Sequence, residues 1–342
     1  MGPLEFIYYL GYSFKKSRSL RRQKRLPRKV ISVGNITTGG TGKTPAVIAI
    51  AEEAKKRGYQ PCILTRGYKG KARGPCFISK GTGPLLSVED AGDEPVLMAQ
   101  RLKGVPIVKG NNRYEAGLFA LQQVNDHTLI FVLDDGFQHW KLCRDIDVLL
   151  MDAMNPFGNG RLLPLGRLRE PLREIKRADV IVITKHSHRN SAEERASAFS
   201  RFDNLINIIQ DNNPDAPLFM AEHVPVCLKT FSGTDLSLDT LFGKTVFAFC
   251  GIGNPASFKD SLLRLEADVR GFEIFGDHII YGRQDIVRIH DNAKRCAADW
   301  IVTTEKDIIK LKGFPLPENL VSLQIDFAVD IGFYEWVFRE GR

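Results

Sequence analysis

Only six cysteines occur in the 342 residues (Cys62, Cys76, Cys143, Cys227, Cys250 and Cys296), and no two form a Cys-x-x-Cys pair. That scatter excludes a disulfide framework and a cysteine-built zinc site, and it suits a reducing cytosol. No apolar run approaches the roughly 20 residues that a membrane-spanning helix needs. Internal repeats and low-complexity tracts are lacking too. An excess of charge of either sign is lacking over most of the chain. The net charge is +8, but residues 1–30 alone hold Lys15, Lys16, Arg18, Arg21, Arg22, Lys24, Arg25, Arg28 and Lys29 against Glu5, which accounts for all of it. A nearly neutral body argues against a nucleic-acid groove and sets the basic N-terminal arm apart.

What the arm does contain is Leu4-Glu-Phe-Ile-Tyr-Tyr-Leu-Gly-Tyr-Ser-Phe14, running straight into the cations. A secretory signal places its charges before the apolar part and ends in a small-residue cleavage site, and neither is present. Two readings remain. In one, an interfacial helix puts its aromatic and aliphatic residues among lipid headgroups while the Lys/Arg cluster meets anionic lipid. In the other, the helix packs on the protein's own core and carries a solvated basic tail.

Beyond the arm, short apolar runs alternate with amphipathic stretches. The pattern predicts strands at 29–34, 61–65, 105–108, 129–133, 146–151 and 179–184, with helices near 44–57, 94–103, 112–124 and 192–208. Such alternation implies βαβ units and a mostly parallel sheet covered on both faces, an α/β class with ligands at the carboxyl ends of the strands. The texture changes at Asn212-Asn-Pro-Asp-Ala-Pro217. Residues 218–244 read as short strands and loops, and a second series of strands follows near 245–250, 269–275, 299–303 and 320–325. A chain of this length supports two domains, the second one smaller.

One run carries chemistry directly. After the apolar Val30-Ile-Ser-Val33 comes Gly34-Asn35-Ile-Thr37-Thr38-Gly39-Gly40-Thr41-Gly42-Lys43-Thr44-Pro45, opening a helix. This is a phosphate-binding P-loop in its expected context. Its backbone N–H groups would wrap a polyphosphate, Lys43 would reach the terminal phosphates, and the Thr44 hydroxyl would ligate magnesium. The strict pattern wants glycine where Thr37 stands, but Gly39, Gly40 and Gly42 still allow close phosphate approach. A nucleoside triphosphate is therefore the expected ligand.

Other polar groups collect where strands should end. The predicted strand 129–133 leads into Asp134, Asp135, Gly136, Phe137, Gln138 and His139, and either aspartate could hold the magnesium of a P-loop site. His139 could orient a phosphate or cap the strand end. Asp93, in Gly92-Asp-Glu-Pro95, reads as a helix N-cap or as a base for a hydroxyl proton. Arg169 lies in the arginine-rich loop Arg161-Leu-Leu-Pro-Leu-Gly-Arg167-Leu-Arg169-Glu170-Pro171 and suits charge stabilisation at a transferring phosphoryl group, with Arg113 a second candidate. His278 stands at a strand end of the second domain. Gly251-Ile-Gly253-Asn-Pro-Ala256 formally meets a dinucleotide fingerprint, but Pro255 and a distant Asp277 weaken it. The guanine-reading Asn-Lys-x-Asp is missing after Ile183-Thr-Lys185-His186, which disfavours GTP. A metal role for His186 and His188 has only an isolated His-x-His behind it.

Taken in order and spacing, these strings resemble the tetraacyldisaccharide 4'-kinase family, the lipid A 4'-kinases of Gram-negative bacteria. The likeness rests on the apolar-then-basic N-terminus, Gly34-Asn35 through Pro45, Thr65-Arg-Gly-Tyr68, Gly92-Asp-Glu-Pro95, Leu133-Asp-Asp-Gly-Phe-Gln-His139, Leu168-Arg-Glu-Pro171, Gly276-Asp-His278 and Thr303-Thr-Glu-Lys-Asp307. It spans nearly the whole chain. The resemblance implies a P-loop NTPase-like three-layer α/β/α domain and a smaller α/β/α domain joined by a short two-stranded linker. The expected division is an arm over 1–27, a kinase domain over 28–217, a β linker over 218–244, the smaller domain over 245–322, and a return strand with a C-terminal helix over 323–342.

The resemblance also implies roles. Asp93 would take the acceptor proton with His278 as its dyad partner, the two meeting when an interdomain cleft closes. Lys43 would follow the γ-phosphoryl group, Thr44 with Asp135 or Asp134 would hold Mg2+, and Arg169 and Arg113 would balance charge. Residues 37–44 would bind ATP, and Asn35, Tyr68, Gln138 and Glu170 are further candidates for substrate or phosphate contact. The implied substrate is a tetraacyl glucosamine disaccharide 1-phosphate at the cytoplasmic face of the bacterial inner membrane, met by a peripheral monomer that binds anionic lipid and no nucleic acid. Readings from other classes are a P-loop GTPase or metallocentre-assembly ATPase, a non-catalytic ATP-dependent membrane adaptor, and an NAD-linked enzyme using Gly251-Ile-Gly253.

Overall fold

The computed structural model describes residues 2–185 and 192–339, so the isolated His-x-His of His186 and His188 lies outside the described residues. The chain divides into two compact units, one formed by Met1–His223 with Phe327–Arg342 and the other by Val224–Asp326.

The first unit opens with helix α1 (Pro3–Leu20), followed by β1 (Val30–Gly34), α2 (Lys43–Lys56), β2 (Gln60–Thr65) and β3 (Cys76–Lys80). Then come α3 (Val88–Ala91), α4 (Asp93–Arg101), β4 (Pro106–Lys109), α5 (Arg113–Gln123), β5 (Leu129–Asp134), β6 (Ile146–Asp152), β7 (Val180–Lys185), α6 (Ala192–Asn212) and the start of β8 (Leu218–Thr230). Its strands lie in the order β8-β7-β6-β1-β5-β2-β4-β3. All neighbours are parallel except β3, which runs antiparallel to β4 at the edge. Every residue of β1 and β5 is buried, as strands covered on both faces require. Alternation then sorts their side chains: Leu129, Phe131 and Leu133 pack with Ala116 and Ala120 of α5, while Ile181 and Ile183 of β7 pack with Leu205 and Ile209 of α6.

The second unit contains β9 (Asp235–Leu236), β10 (Thr245–Cys250), α7 (Pro255–Arg264), β11 (Asp268–Ile274), α8 (Arg283–Arg295), β12 (Trp300–Thr304), the one-turn α9 (Glu305–Ile308) and most of β13 (Leu320–Val329). Its parallel strands run β11-β10-β12-β13 over a core that includes Val246, Ala248, Phe258, Leu262, Val302 and Val321. Helix α10 (Ile331–Phe338) returns to the first unit.

Two segments differ from expectation. Strand β3 was not foreseen, because a five-residue edge strand flanked by glycine-rich turns carries almost no periodic signal. Residues 218–230 form one strand of 13 residues rather than several short pieces. Its polar positions and Pro225 break the apolar run without breaking the strand.

Helix α1 has one face packed on the protein and one face exposed. Tyr8 and Tyr9 pack against the core cluster that holds Phe137 and Leu168, and Glu5, Tyr12 and Ser19 are buried. Leu4, Phe6, Ile7, Leu10 and Phe14 remain 51–71% exposed. The basic block is not wholly a solvated tail either: Arg25 pairs with Asp145, Lys24 sits over the Tyr114 ring, and Lys29 donates to the carbonyls of Val337 and Arg339.

Candidate active site

The P-loop sits where β1 ends between β5 and β6. Gly34 abuts the Phe137 backbone, where a Cβ would come within 2.7 Å of its nitrogen, so no larger residue fits the turn. Gly42 caps α2 with a left-handed φ of 77°, a conformation glycine adopts without strain. From there Ala46, Val47, Ile50, Ala51 and Ala54 recur at helical spacing and bury one face of α2, while Lys55 and Lys56 suit its carboxyl end. Inside the loop, Asn35 Nδ2 donates to Thr41 Oγ1 at 3.0 Å. The arginine-rich segment lies alongside: the Thr38 N–H donates to the Arg167 carbonyl at 2.8 Å and the Arg169 N–H to the Ile36 carbonyl at 2.8 Å.

Register brings the acidic pair to this loop, since Val33 of β1 lies opposite Asp134 of β5. Asp134 is 6% exposed; its Oδ2 accepts from Thr65 Oγ1 at 2.8 Å, whereas its buried Oδ1 accepts no hydrogen bond among the described residues. Burial, helped by the charges of Glu94 and Asp135, pushes the Asp134 carboxyl up to about 6. Asp135 holds the left-handed φ of 50°, an uncommon state for a non-glycine residue that is found at constrained sites. Burial raises its carboxyl, but Lys43 and Arg169 outweigh that and hold it below the ordinary range. Arg169 Nη1 donates to both Asp135 oxygens at 3.0 Å, and Lys43 Nζ lies 3.7 Å from Oδ1.

Of the remaining candidates, Arg113 opens α5 and is 5% exposed, with burial lowering its guanidinium against the opposing pull of Asp134 and Asp135. Gln138 links three parts: Nε2 donates to the Asn35 carbonyl and to Glu170, and Oε1 accepts from Arg169 at 3.3 Å. His139 is pushed down to about 3 by burial and then by Arg113 and Arg144, so it stays neutral and carries no charge toward a phosphate. Asp93 is not the N-cap that position suggested. Gly92, with φ 96°, caps α4, and Asp93 is the first helical residue, buried, its Oδ1 accepting the Glu94 N–H at 2.9 Å. Tyr68 is 58% exposed. Glu170, 0% exposed, is enclosed by Tyr12, Gln138 and Arg177 rather than open to a ligand.

In the second unit His278 also has a left-handed φ, 60°, and its Nε2 lies 3.8 Å from Asp277 Oδ2. The glycine turn that mimicked a dinucleotide fingerprint is already engaged. The Gly251 N–H donates to Asp307 Oδ2 at 2.9 Å, and Asn254 caps α7 through the Ser257 N–H.

Three neighbours of the site went unforeseen. Thr65 bonds Asp134, Glu94 adds its charge to that carboxylate, and His223 of β8 stands where a Cβ on Gly42 would come within 2.2 Å of its ring. Thr65 had a signal, as the first residue of the Thr-Arg-Gly-Tyr string, but His223 had none.

The family described as LpxK, tetraacyldisaccharide-1-P 4'-kinase, matches residues 1–340 of the chain. The chain belongs to this family. A tetraacyldisaccharide 4'-kinase from Syntrophus aciditrophicus is 41% identical over 315 residues, covering 90% of this chain and 83% of that protein. One from Syntrophobacter fumaroxidans is 38% identical, covering 98% and 86%. A solved structure of LpxK from Aquifex aeolicus in complex with ATP is 32% identical, with a TM-score of 0.74 over 98% of this chain and 97% of that one. The activity is that of a tetraacyldisaccharide-1-P 4'-kinase in lipid A biosynthesis. A likeness across both units to an LpxK structure also agrees with an α/β architecture built on mostly parallel sheet.

Proposed function

We propose that this LpxK family member draws the γ-phosphoryl group from ATP bound at residues 37–44 and that Asp93 takes the proton of the acceptor 4'-hydroxyl, with His278 as its partner. The observation that carries the reading is the convergence of Lys43, Asp135 and Arg169 beside the P-loop, since a phosphoryl-transfer site needs cations and a metal-holding carboxylate together.

The residues present fit Mg2+. Asp134 has a buried carboxylate oxygen that accepts no hydrogen bond among the described residues, Asp135 adjoins it, and Thr44 lies in the first turn of α2. Among the described residues no group of three or more His, Cys, Asp or Glu side chains forms a metal cage. That suits an ion which takes one or two carboxylates and completes its shell with phosphate oxygens and water. Bound there, Mg2+ would neutralise charge on the terminal phosphates. Lys43 and Arg169, now paired with Asp135, would turn to the phosphate oxygens, and Arg113 would hold the local balance positive. Asp93, held at the start of α4, would accept the hydroxyl proton as that oxygen bonds the γ-phosphorus and the bond to the departing ADP oxygen breaks.

Among the described residues no helix is long and apolar enough to cross a membrane. The outward face of α1 supports peripheral attachment instead, with Ile7, Leu10 and Phe14 in the headgroup layer and Lys15, Arg18, Arg21 and Arg22, all exposed, toward anionic lipid. That would hold a monomer at the cytoplasmic face of the inner membrane, where a tetraacylated acceptor can be reached without leaving the bilayer.

The test uses labelled ATP, Mg2+ and a panel of acylated glucosamine disaccharide 1-phosphates. Transfer to the distal 4'-hydroxyl is expected, with kcat reduced at least about a hundredfold in Asp93→Ala and in His278→Ala. Turnover within a few-fold of wild type in both variants would end the dyad assignment.

A further inference from the structure

We propose that helix α1 is a positioning element for Arg169, so that the arm sets the phosphate-facing guanidinium as well as holding the chain at a surface. The inference rests on the role given to Arg169 above.

Glu5, Tyr8, Tyr12, Lys16 and Ser19 follow one another at spacings of three and four, which places them along one face of α1. Four of the five end on the single segment 161–177, the one that carries Arg169. Glu5 accepts from the Leu162 N–H at 3.1 Å and from Arg161 Nη2 at 2.9 Å. Tyr8 OH donates to the Arg169 carbonyl itself at 2.8 Å. Tyr12 OH donates to Glu170 Oε2 at 3.2 Å, and Lys16 bonds Glu174. On the flank, Arg173 donates to Tyr9 OH and stacks over its ring.

The grip continues inward without a break. Glu170 accepts from Gln138, Gln138 accepts from Arg169, and Arg169 donates to Asp135. Arg177 locks the underside, bonding Glu170, Glu174 and the Phe137 carbonyl while its guanidinium lies 4.2 Å from the Phe137 ring centroid. The whole path lies inside the first unit.

Burial argues that this face does more than tether. Glu5, Glu170 and Glu174 are only 0–3% exposed, and burying three carboxylates is costly unless each is paired in fixed geometry. A lipid anchor needs an apolar outer face and nothing of the kind on its inner one. What the inner face provides is two anchor points on Arg169, one at its own carbonyl through Tyr8 and one at its guanidinium through Tyr12, Glu170 and Gln138. A displacement of about 1 Å in a charge-stabilising group is enough to slow a reaction severely.

The experiment compares wild type with Tyr8→Phe, Tyr12→Phe and the pair, using substrate dispersed in nonionic detergent so that bilayer attachment plays no part. The expected result is a kcat lowered about tenfold in the pair, with KM for ATP within about twofold, because each change removes a hydroxyl and leaves the packing. Flotation on phosphatidylglycerol vesicles should match wild type. In an Arg169→Ala background the same two changes should have no further effect. A wild-type kcat for the pair in detergent, or a full additional loss on top of Arg169→Ala, would overturn the inference. A wild-type kcat for Arg169→Ala itself would instead remove the role of Arg169 on which it rests. Should the pair fold poorly, Tyr8→Phe alone carries the test, read with Lys16→Ala and its rescue by Lys16→Arg.

Discussion

Asp134 shows how a single carboxylate can be set against the stability of the fold that holds it. Its folded-state value of about 6 lies above the ordinary 3.8, so the proton is bound more tightly in the folded chain. The sign follows: below about pH 4 the group costs nothing, and as pH rises through 6 an ionised, half-satisfied carboxylate comes to oppose folding. Asp134→Asn should therefore raise the unfolding free energy at pH 8 by an amount on the order of 1–3 kcal/mol, read as a higher urea midpoint, with the gain shrinking toward pH 4.5. Equal midpoints for the two proteins at pH 8 would show that the carboxylate carries no such burden. On the metal role proposed for Asp134, the same variant should lose Mg2+-dependent turnover, an exchange of function for stability.

At the scale of elements, the parts that were legible in the sequence are those whose cause is local. Strand β1, the P-loop and α2 follow from an apolar run, glycines and a helical repeat within 27 residues, and β5 announces Asp134 and Asp135 by ending in them. Partnerships across long separations left no such trace. Glu170 reads as a ligand candidate until Tyr12, 158 positions earlier, is found bonded to it. Likewise α1 reads as one amphipathic helix with two competing uses, because only the fold reveals that its tyrosines and its aliphatic residues face opposite ways. Its outer face has its own test. Ile7→Asp with Phe14→Asp should weaken flotation on anionic vesicles at least about tenfold, given about 2 kcal/mol for each large apolar side chain withdrawn from water. Undiminished flotation at low salt would assign the apolar stripe to some other partner.

The molecule as a whole is two compact units, and the second has a keystone of its own. Asp307 is fully buried and accepts from the Gly251 N–H, from Thr304 Oγ1 at 2.6 Å and from Lys310 Nζ at 3.1 Å, the last being only 5% exposed. The Gly251 turn it secures also lies against the Gly276 carbonyl, two residues before His278. Asp307→Ala would remove the buried carboxylate that pairs with Lys310 and accepts from the Gly251 N–H, a loss of about 3–5 kcal/mol. Calorimetry should show a lowered transition for residues 224–326. If that transition keeps its midpoint, the lysine has found water or another acceptor and the carboxylate is dispensable.

The distribution of the arm's cations bears on how such a protein would adsorb. Nine lysines and arginines stand in residues 1–30, but Lys16 pairs with Glu174 and Arg25 with Asp145. A surface outside therefore meets about seven uncompensated charges rather than nine, and added salt should release the protein from anionic vesicles with the shallower dependence of that smaller number. Adsorption of this kind is reversible at ordinary ionic strength, the property a peripheral enzyme needs if it is to move from one acceptor lipid to the next.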